Sequence, residues 1–183
     1  MDIDVRDAMV NRSDVWIFID FDNVSWDNLA KIEELPLSTN ISLYVNDKNV
    51  GRLSCKDYTN FVDKCSANIS QYVVPHGRNS VDFRIVYDVT QCLFEHKSDY
   101  VYILSGDKGY DGAIEEMQRT HSGEFMAVMR CVSLEEVLAD YKVMQVMKCD
   151  EIKPFLDQFY GSYRSGFILQ KMKELCSDKK CEK

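Results

Sequence analysis

The chain has 183 residues, 45% hydrophobic and 28% charged, enough for one domain with a real core and too few for two comfortable ones. Its formal net charge of −8 argues against a broad electrostatic grip on nucleic acid, although a bound cation and a few local bases would offset a carboxylate cluster. The opening Met1-Asp2-Ile3-Asp4-Val5-Arg6-Asp7 has no apolar stretch, so no signal peptide is expected, and the longest apolar runs are of strand length, far short of a bilayer span.

The seven cysteines, at 55, 65, 92, 131, 149, 176 and 181, form no CxxC pair. They read as reduced thiols of a cytoplasmic protein. His76, His96 and His121 are scattered, so a structural zinc site is not expected.

The first apolar run, Val15-Trp16-Ile17-Phe18-Ile19, ends on Asp20 and predicts a strand over 15–20. An acid directly after five apolar residues is half-buried and needs a partner. Extended backbone sends Asp20 and Asp22 to one side and Phe21 to the other. Asp22 and Asn23 are also ordinary turn formers, and Asn23 or Ser25 is placed to cap a helix over 26–34. A strand over 41–46, a helix over 56–67 and a strand over 69–74 follow. The next helix, over 80–96, carries a stripe of Asp82, Ile85, Val86, Val89 and Leu93, so Asp82 sits in the first turn of the core-facing side. Placement near a helix N-terminus favours an acid, but such an acid normally faces solvent. Asp88 lies off the stripe, in a solvated or supporting position.

The run Tyr100-Val101-Tyr102-Ile103-Leu104 predicts a strand over 100–105 and leads into Ser105-Gly106-Asp107-Lys108-Gly109-Tyr110-Asp111, which opens a helix over 110–121. Gly106 and Gly109 permit a tight turn and close approach by a ligand. Asp107 and Asp111, four apart, share a face once the helix starts. Lys108 is the one cation within this segment and is placed to meet a phosphate. Ser105 is placed to hydrogen-bond a carboxylate or a phosphate. Arg78, Arg84, Lys48 and Arg52 are further candidate phosphate contacts, although most exposed Arg and Lys are simply solvated. A strand over 124–130 and a helix over 133–147 complete the alternation.

Short apolar runs separated by amphipathic segments predict βαβ units. The expected fold is an α/β/α three-layer sandwich around a mostly parallel five-stranded sheet, over residues 1–148. Residues 149–183 read as a C-terminal helical appendage and polar tail, with short helices near 150–160 and 164–176. Phe155, Leu156, Phe159 and Tyr160 there need a surface to pack on, either the sandwich, a protein partner or a second copy. Acids at the C-terminal ends of buried parallel strands point into the crevice where open α/β sheets bind ligands. Carboxylates held close repel one another unless a divalent cation sits among them. Asp20, Asp82, Asp107 and Asp111 therefore point to metal-dependent phosphate-ester chemistry.

Three segments carry a family resemblance: Phe18-Ile19-Asp20-Phe21-Asp22-Asn23-Val24, Asn79-Ser80-Val81-Asp82-Phe83-Arg84-Ile85-Val86 and Ile103-Leu104-Ser105-Gly106-Asp107-Lys108-Gly109-Tyr110-Asp111. In order and spacing they resemble the NYN subgroup of the PIN-like ribonucleases over roughly residues 14–135. The resemblance implies a Mg²⁺ or Mn²⁺ ion held by Asp20, Asp82 and Asp107, an RNA substrate, and an orienting role for Asn23. Asp111 matches a further acid found in some members. Many NYN proteins place that acid two residues after the turn aspartate, where this chain has Gly109.

Asp20-Phe21-Asp22-Asn23-Val24 also resembles the haloacid-dehalogenase phosphatase motif. Asp20 would then be the nucleophile and Asp22 the general acid and base. That scheme needs a Ser or Thr at a strand end and a Lys before the later acids. Ser42 and Lys97 meet these needs poorly, and Asp82 has no role in it. A third reading is a PIN-like module that keeps its acids but serves as a non-catalytic regulator.

Overall fold

The computed structural model of the chain describes residues 15–96, 100–120 and 127–147. The expected helices near 150–160 and 164–176 and the polar tail lie outside the described residues, as does Lys97. Five strands form the sheet: β1 Val15–Asp20, β2 Thr39–Asn46, β3 Asn68–Val74, β4 Tyr100–Leu104 and β5 Ala127–Cys131. All pairings are parallel, in the order β3-β2-β1-β4-β5. The four α-helices described are α1 Cys55–Lys64, α2 Ser80–His96, α3 Tyr110–Thr120 and α4 Leu134–Met147.

Strand alternation sorts the core into two sides. Phe18 and Tyr44 pack with Val101, Ile103 and Val128 on one face, beneath Val81, Ile85, Val89 and Leu93 of α2 and Ile114 and Met117 of α3. The opposite parity buries Ile17, Ile19, Ile41, Leu43, Tyr102 and Leu104 on the other face. There Trp26 packs on Phe21 at 4.8 Å and on Phe61 of α1 at 5.6 Å between ring centroids. A strand buried on both sides cannot alternate apolar with polar residues, which is why β1 and β4 read as continuous apolar runs.

One predicted helix is corrected. Residues 26–34 form two 3₁₀ turns, Trp26–Leu29 and Ile32–Glu34, separated by Lys31 in the left-handed region at φ 67°. Leu29 and Ile32 are buried three residues apart, so each turn delivers one anchor and the left-handed residue re-aims the chain between them. A further 3₁₀ segment, Asp47–Arg52, follows β2 where no element was expected, started by Asn46 accepting from the Lys48 amide at 3.0 Å.

The chain divides into two compact units, Met1–Val137 and Leu138–Lys183. The division falls inside α4. Among the described residues no helix is long and apolar enough to cross a membrane.

Candidate functional site

The strand order turns back at β1, whose neighbours β2 and β4 continue in opposite directions, and a crevice opens at the C-terminal ends of the strands there. A cleft of about 250 Å³ lies at this end, lined by Asp20, Asp22, Asn23, Asn46, Gly77, Asn79, Ser80, Val81, Asp82 and Asp107. Four aspartates from three separate segments therefore share one cavity.

Asp20 is at its floor, with no exposed surface. Its Oδ2 accepts from Asn23 Nδ2 at 2.7 Å, Ser105 Oγ at 3.0 Å and the Tyr110 hydroxyl at 3.1 Å. Its Oδ1 accepts from the Asp22 amide at 3.2 Å. Burial nonetheless pushes the Asp20 carboxyl above its ordinary value; those three side-chain donors oppose the rise and the charge of Asp82 adds to it. The Tyr110 hydroxyl also stands 3.1 Å from Asp82 Oδ1, so one phenol joins the acids of β1 and α2. Burial first, and then the charges of Asp20 and Asp82, raise the Tyr110 phenol well above its usual range and keep it a neutral donor.

Asp82 is half-buried in the first turn of α2, as its place on the apolar stripe predicts. The turn that delivers it passes through Asn79 at φ 55°, a left-handed conformation Asn tolerates better than most residues. Asp107 follows β4 by three residues. Its Oδ1 accepts from the Gly109 amide at 2.7 Å, while its own amide donates to Ser105 Oγ at 3.0 Å. Neither glycine of this turn has a positive φ. Gly106 is favoured by close approach instead, since a Cβ there would lie 3.2 Å from the Asn23 carbonyl oxygen.

Asp22 is tied to the loop after β2. Its Oδ1 accepts from the Asn46 amide at 3.3 Å and Asn49 Nδ2 at 3.0 Å. Arg52 closes the same loop by donating to the carbonyls of Asp22 at 2.8 Å and Val24 at 3.3 Å.

Asp20, Asp82, Asp107 and Asn23 are thus brought together. Asp111 is not: it lies outside the cleft lining and pairs with Arg130 Nε at 2.7 Å. Arg130 holds the Asp111 carboxyl below its ordinary value. Ser105 is fully buried, its hydroxyl donating to Asp20 and accepting from the Asp107 amide. Lys108 and Arg78 are exposed, each beside residues of the lining. Asp88 supports β2, accepting from the Tyr44 hydroxyl at 2.8 Å and Arg84 Nε at 2.7 Å. Tyr110 and Arg130 were missed from sequence. Arg130 shares its parity with buried Val128 at the end of a strand, a local signal that could have placed it beside the cleft.

The lining offers hard oxygen donors of the kind Mg²⁺ and Mn²⁺ take: carboxylates, amides and Ser80 Oγ, which is buried without a hydrogen-bond partner. In donor chemistry these residues suit a divalent ion. Among the described residues, however, no three acidic, His or Cys side chains are gathered into a metal-holding set. Asp20 and Asp82 instead share the Tyr110 hydroxyl as donor, and Asp107 accepts from the Gly109 amide.

No curated protein and no solved structure matches the chain. The PIN domain family matches residues 14–122, a span that includes every acid of the cleft and more than half of the sequence. With the all-parallel sheet and the aspartates at its crevice, this establishes that the chain belongs to the PIN domain family.

Proposed function

We infer that this PIN domain is a metal-dependent endoribonuclease that hydrolyses RNA phosphodiester bonds. The observation that carries this reading is the presence of Asp20, Asp82 and Asp107 around one cleft. These three would hold Mg²⁺ or Mn²⁺, which when bound supplies an activated water and relief of charge on the leaving oxygen. The chain's own contribution is positioning. Asn23 and Ser105 fix the Asp20 carboxylate, the Gly109 amide fixes Asp107, and the Tyr110 hydroxyl sets the relation of Asp20 to Asp82. Lys108 and Arg78, exposed at the cleft, offset the phosphate charge that four aspartates would otherwise repel.

The NYN subgroup is supported by the Asp20–Asn23 pair, the acid and amide three residues apart that the resemblance implies, joined at 2.7 Å. The phosphatase scheme gives no work to Asp82, which lines the cleft and shares Tyr110 with Asp20. A non-catalytic binding module is the second reading, favoured by the absence of a gathered ligand set among the described residues.

Purified protein incubated with Mn²⁺ and mixed RNA is the test. Cleavage lost in both Asp82→Asn and Asp107→Asn supports the nuclease; undiminished cleavage in Asp107→Asn ends it. No cleavage together with no Mn²⁺-dependent rise in melting temperature supports the binding module, because a ligand bound only by the native state must stabilise that state. Hydrolysis of a small phosphomonoester, lost in Asp22→Asn, favours the phosphatase.

A further inference from the structure

A second cavity, of about 200 Å³, lies beside the acidic cleft and has no part in the chemistry above. It is lined by Gln71, Tyr72, Val73, Val74, Pro75 and Arg84. Two segments connect it with the cleft. Pro75 borders this cavity and Gly77 borders the cleft, two residues along the chain and thus at most about 7 Å apart. On α2, Asp82 faces the cleft and Arg84 faces the cavity.

The wall is built from the core outward. Phe18 stacks with Tyr44 at 6.3 Å, and Tyr44 with Tyr72 at 4.9 Å and 14° between ring planes. Arg84 lies over the Tyr72 ring at 5.6 Å. Its guanidinium is aimed by Asp88, which the Tyr44 hydroxyl holds in turn. The Arg84 side chain is 48% exposed and Tyr72 37% exposed. A flexible cation on α2 and a large ring on the edge strand β3 are thus fixed at the surface, with their ordering already accomplished by the fold.

We propose that the Tyr72–Arg84 cavity is a nucleobase subsite, holding one unpaired base of the strand whose phosphate lies in the acidic cleft. The inference rests on the nuclease reading and adds to it one place where the protein grips the strand. Single-stranded nucleic acid is characteristically bound by bases laid against aromatic rings and Arg guanidinium planes. A base inside a duplex presents no free face to such a wall. Stacking tolerates any base, so the subsite carries no base preference of its own.

The test is equilibrium binding, in chelator, of a fluorescein-labelled ten-nucleotide single-stranded RNA and of copies with one abasic position moved along the strand. Wild type should lose about tenfold in affinity at one abasic position, the range expected for one stacked base. Tyr72→Leu and Arg84→Gln should bind the intact strand about tenfold more weakly and show no further loss at that abasic position, while Tyr72→Phe retains both behaviours. Unchanged melting temperatures would show that the variants fold. Wild type that binds and cleaves, with both variants binding equally well, overturns the subsite and leaves the nuclease standing. A duplex bound as tightly as the single strand also overturns it. Wild type that neither binds nor cleaves RNA overturns both.

Discussion

Arg130 holds Asp111 through Nε at 2.7 Å, and that pair takes the last acid of the sequence pattern out of the cleft. The same guanidinium donates Nη1 to the Ser105 carbonyl at 3.3 Å, so it braces the turn that carries Asp107. Asp111 should therefore behave as a support.

Asp111→Asn is expected to keep most RNA cleavage, whereas Asp107→Asn loses it. The pair is half exposed on the Asp111 side, so its loss should cost no more than about 1 kcal/mol. The Asp111 carboxyl is lowered below 3.8 by Arg130, so its contribution is present above the unfolded value and disappears as pH falls through the folded one. Urea midpoints of wild type and variant should converge in acid and separate at neutral pH. Cleavage rates of the two variants that fall equally would return Asp111 to the catalytic set.

Tyr110→Phe preserves the buried ring and removes the hydroxyl between Asp20 and Asp82. Two carboxylates then lose a shared donor, at a cost of about 1–3 kcal/mol without a divalent ion. Mn²⁺ should restore part of this, so its effect on melting temperature should be larger in the variant than in wild type. Equal Mn²⁺ shifts would mean that the phenol does not set the spacing of the acids.

Asp20 has the opposite linkage sign to Asp111. Its folded value is raised above 3.8 by burial, so the stability it contributes is complete below 3.8 and is lost as pH rises through the folded value. Relative to Asp20→Asn, metal-free wild type should lose stability as the pH is raised from about 3.5 toward neutrality, and saturating Mn²⁺ should favour wild type alone. Thermal melts across that range check both. A stability difference between the two proteins that does not change with pH contradicts a carboxyl raised by burial at Asp20.

Gly106→Ala places a Cβ against the Asn23 carbonyl, a backbone atom that cannot swing aside. Overpacking of this kind costs about 1–3 kcal/mol. The turn should shift, moving Asp107 relative to Asp20, so the urea midpoint and cleavage should fall together. Gly112→Ala, inside α3 where a Cβ meets nothing within 4 Å, is the control and should leave cleavage unchanged while the urea midpoint holds or rises.

Much of the fold was legible because its signals are local. The apolar runs of β1 and β4 mark strands buried on both faces, and the stripe from Asp82 to Leu93 gives α2 and its inward acid. Segment 26–34 was misread because a few apolar residues at helical spacing do not reveal that Lys31 turns left-handed. Tyr110 opens α3, and nothing local to it marks its hydroxyl. Its hydroxyl gained meaning only when α3 was set against α2 and β1.

The sequence by itself determined that Asp20 ends one apolar strand, that Asp107 follows closely on another and that Asp82 points to the core, since periods of two and of 3.6 residues mark the strands and set the helix face. Only the tertiary structure decided that these acids meet, that Tyr110 joins them and that Arg130 removes Asp111. Those outcomes depend on β1 lying between β2 and β4, a strand order that brings together residues far apart in the chain and that no local period encodes.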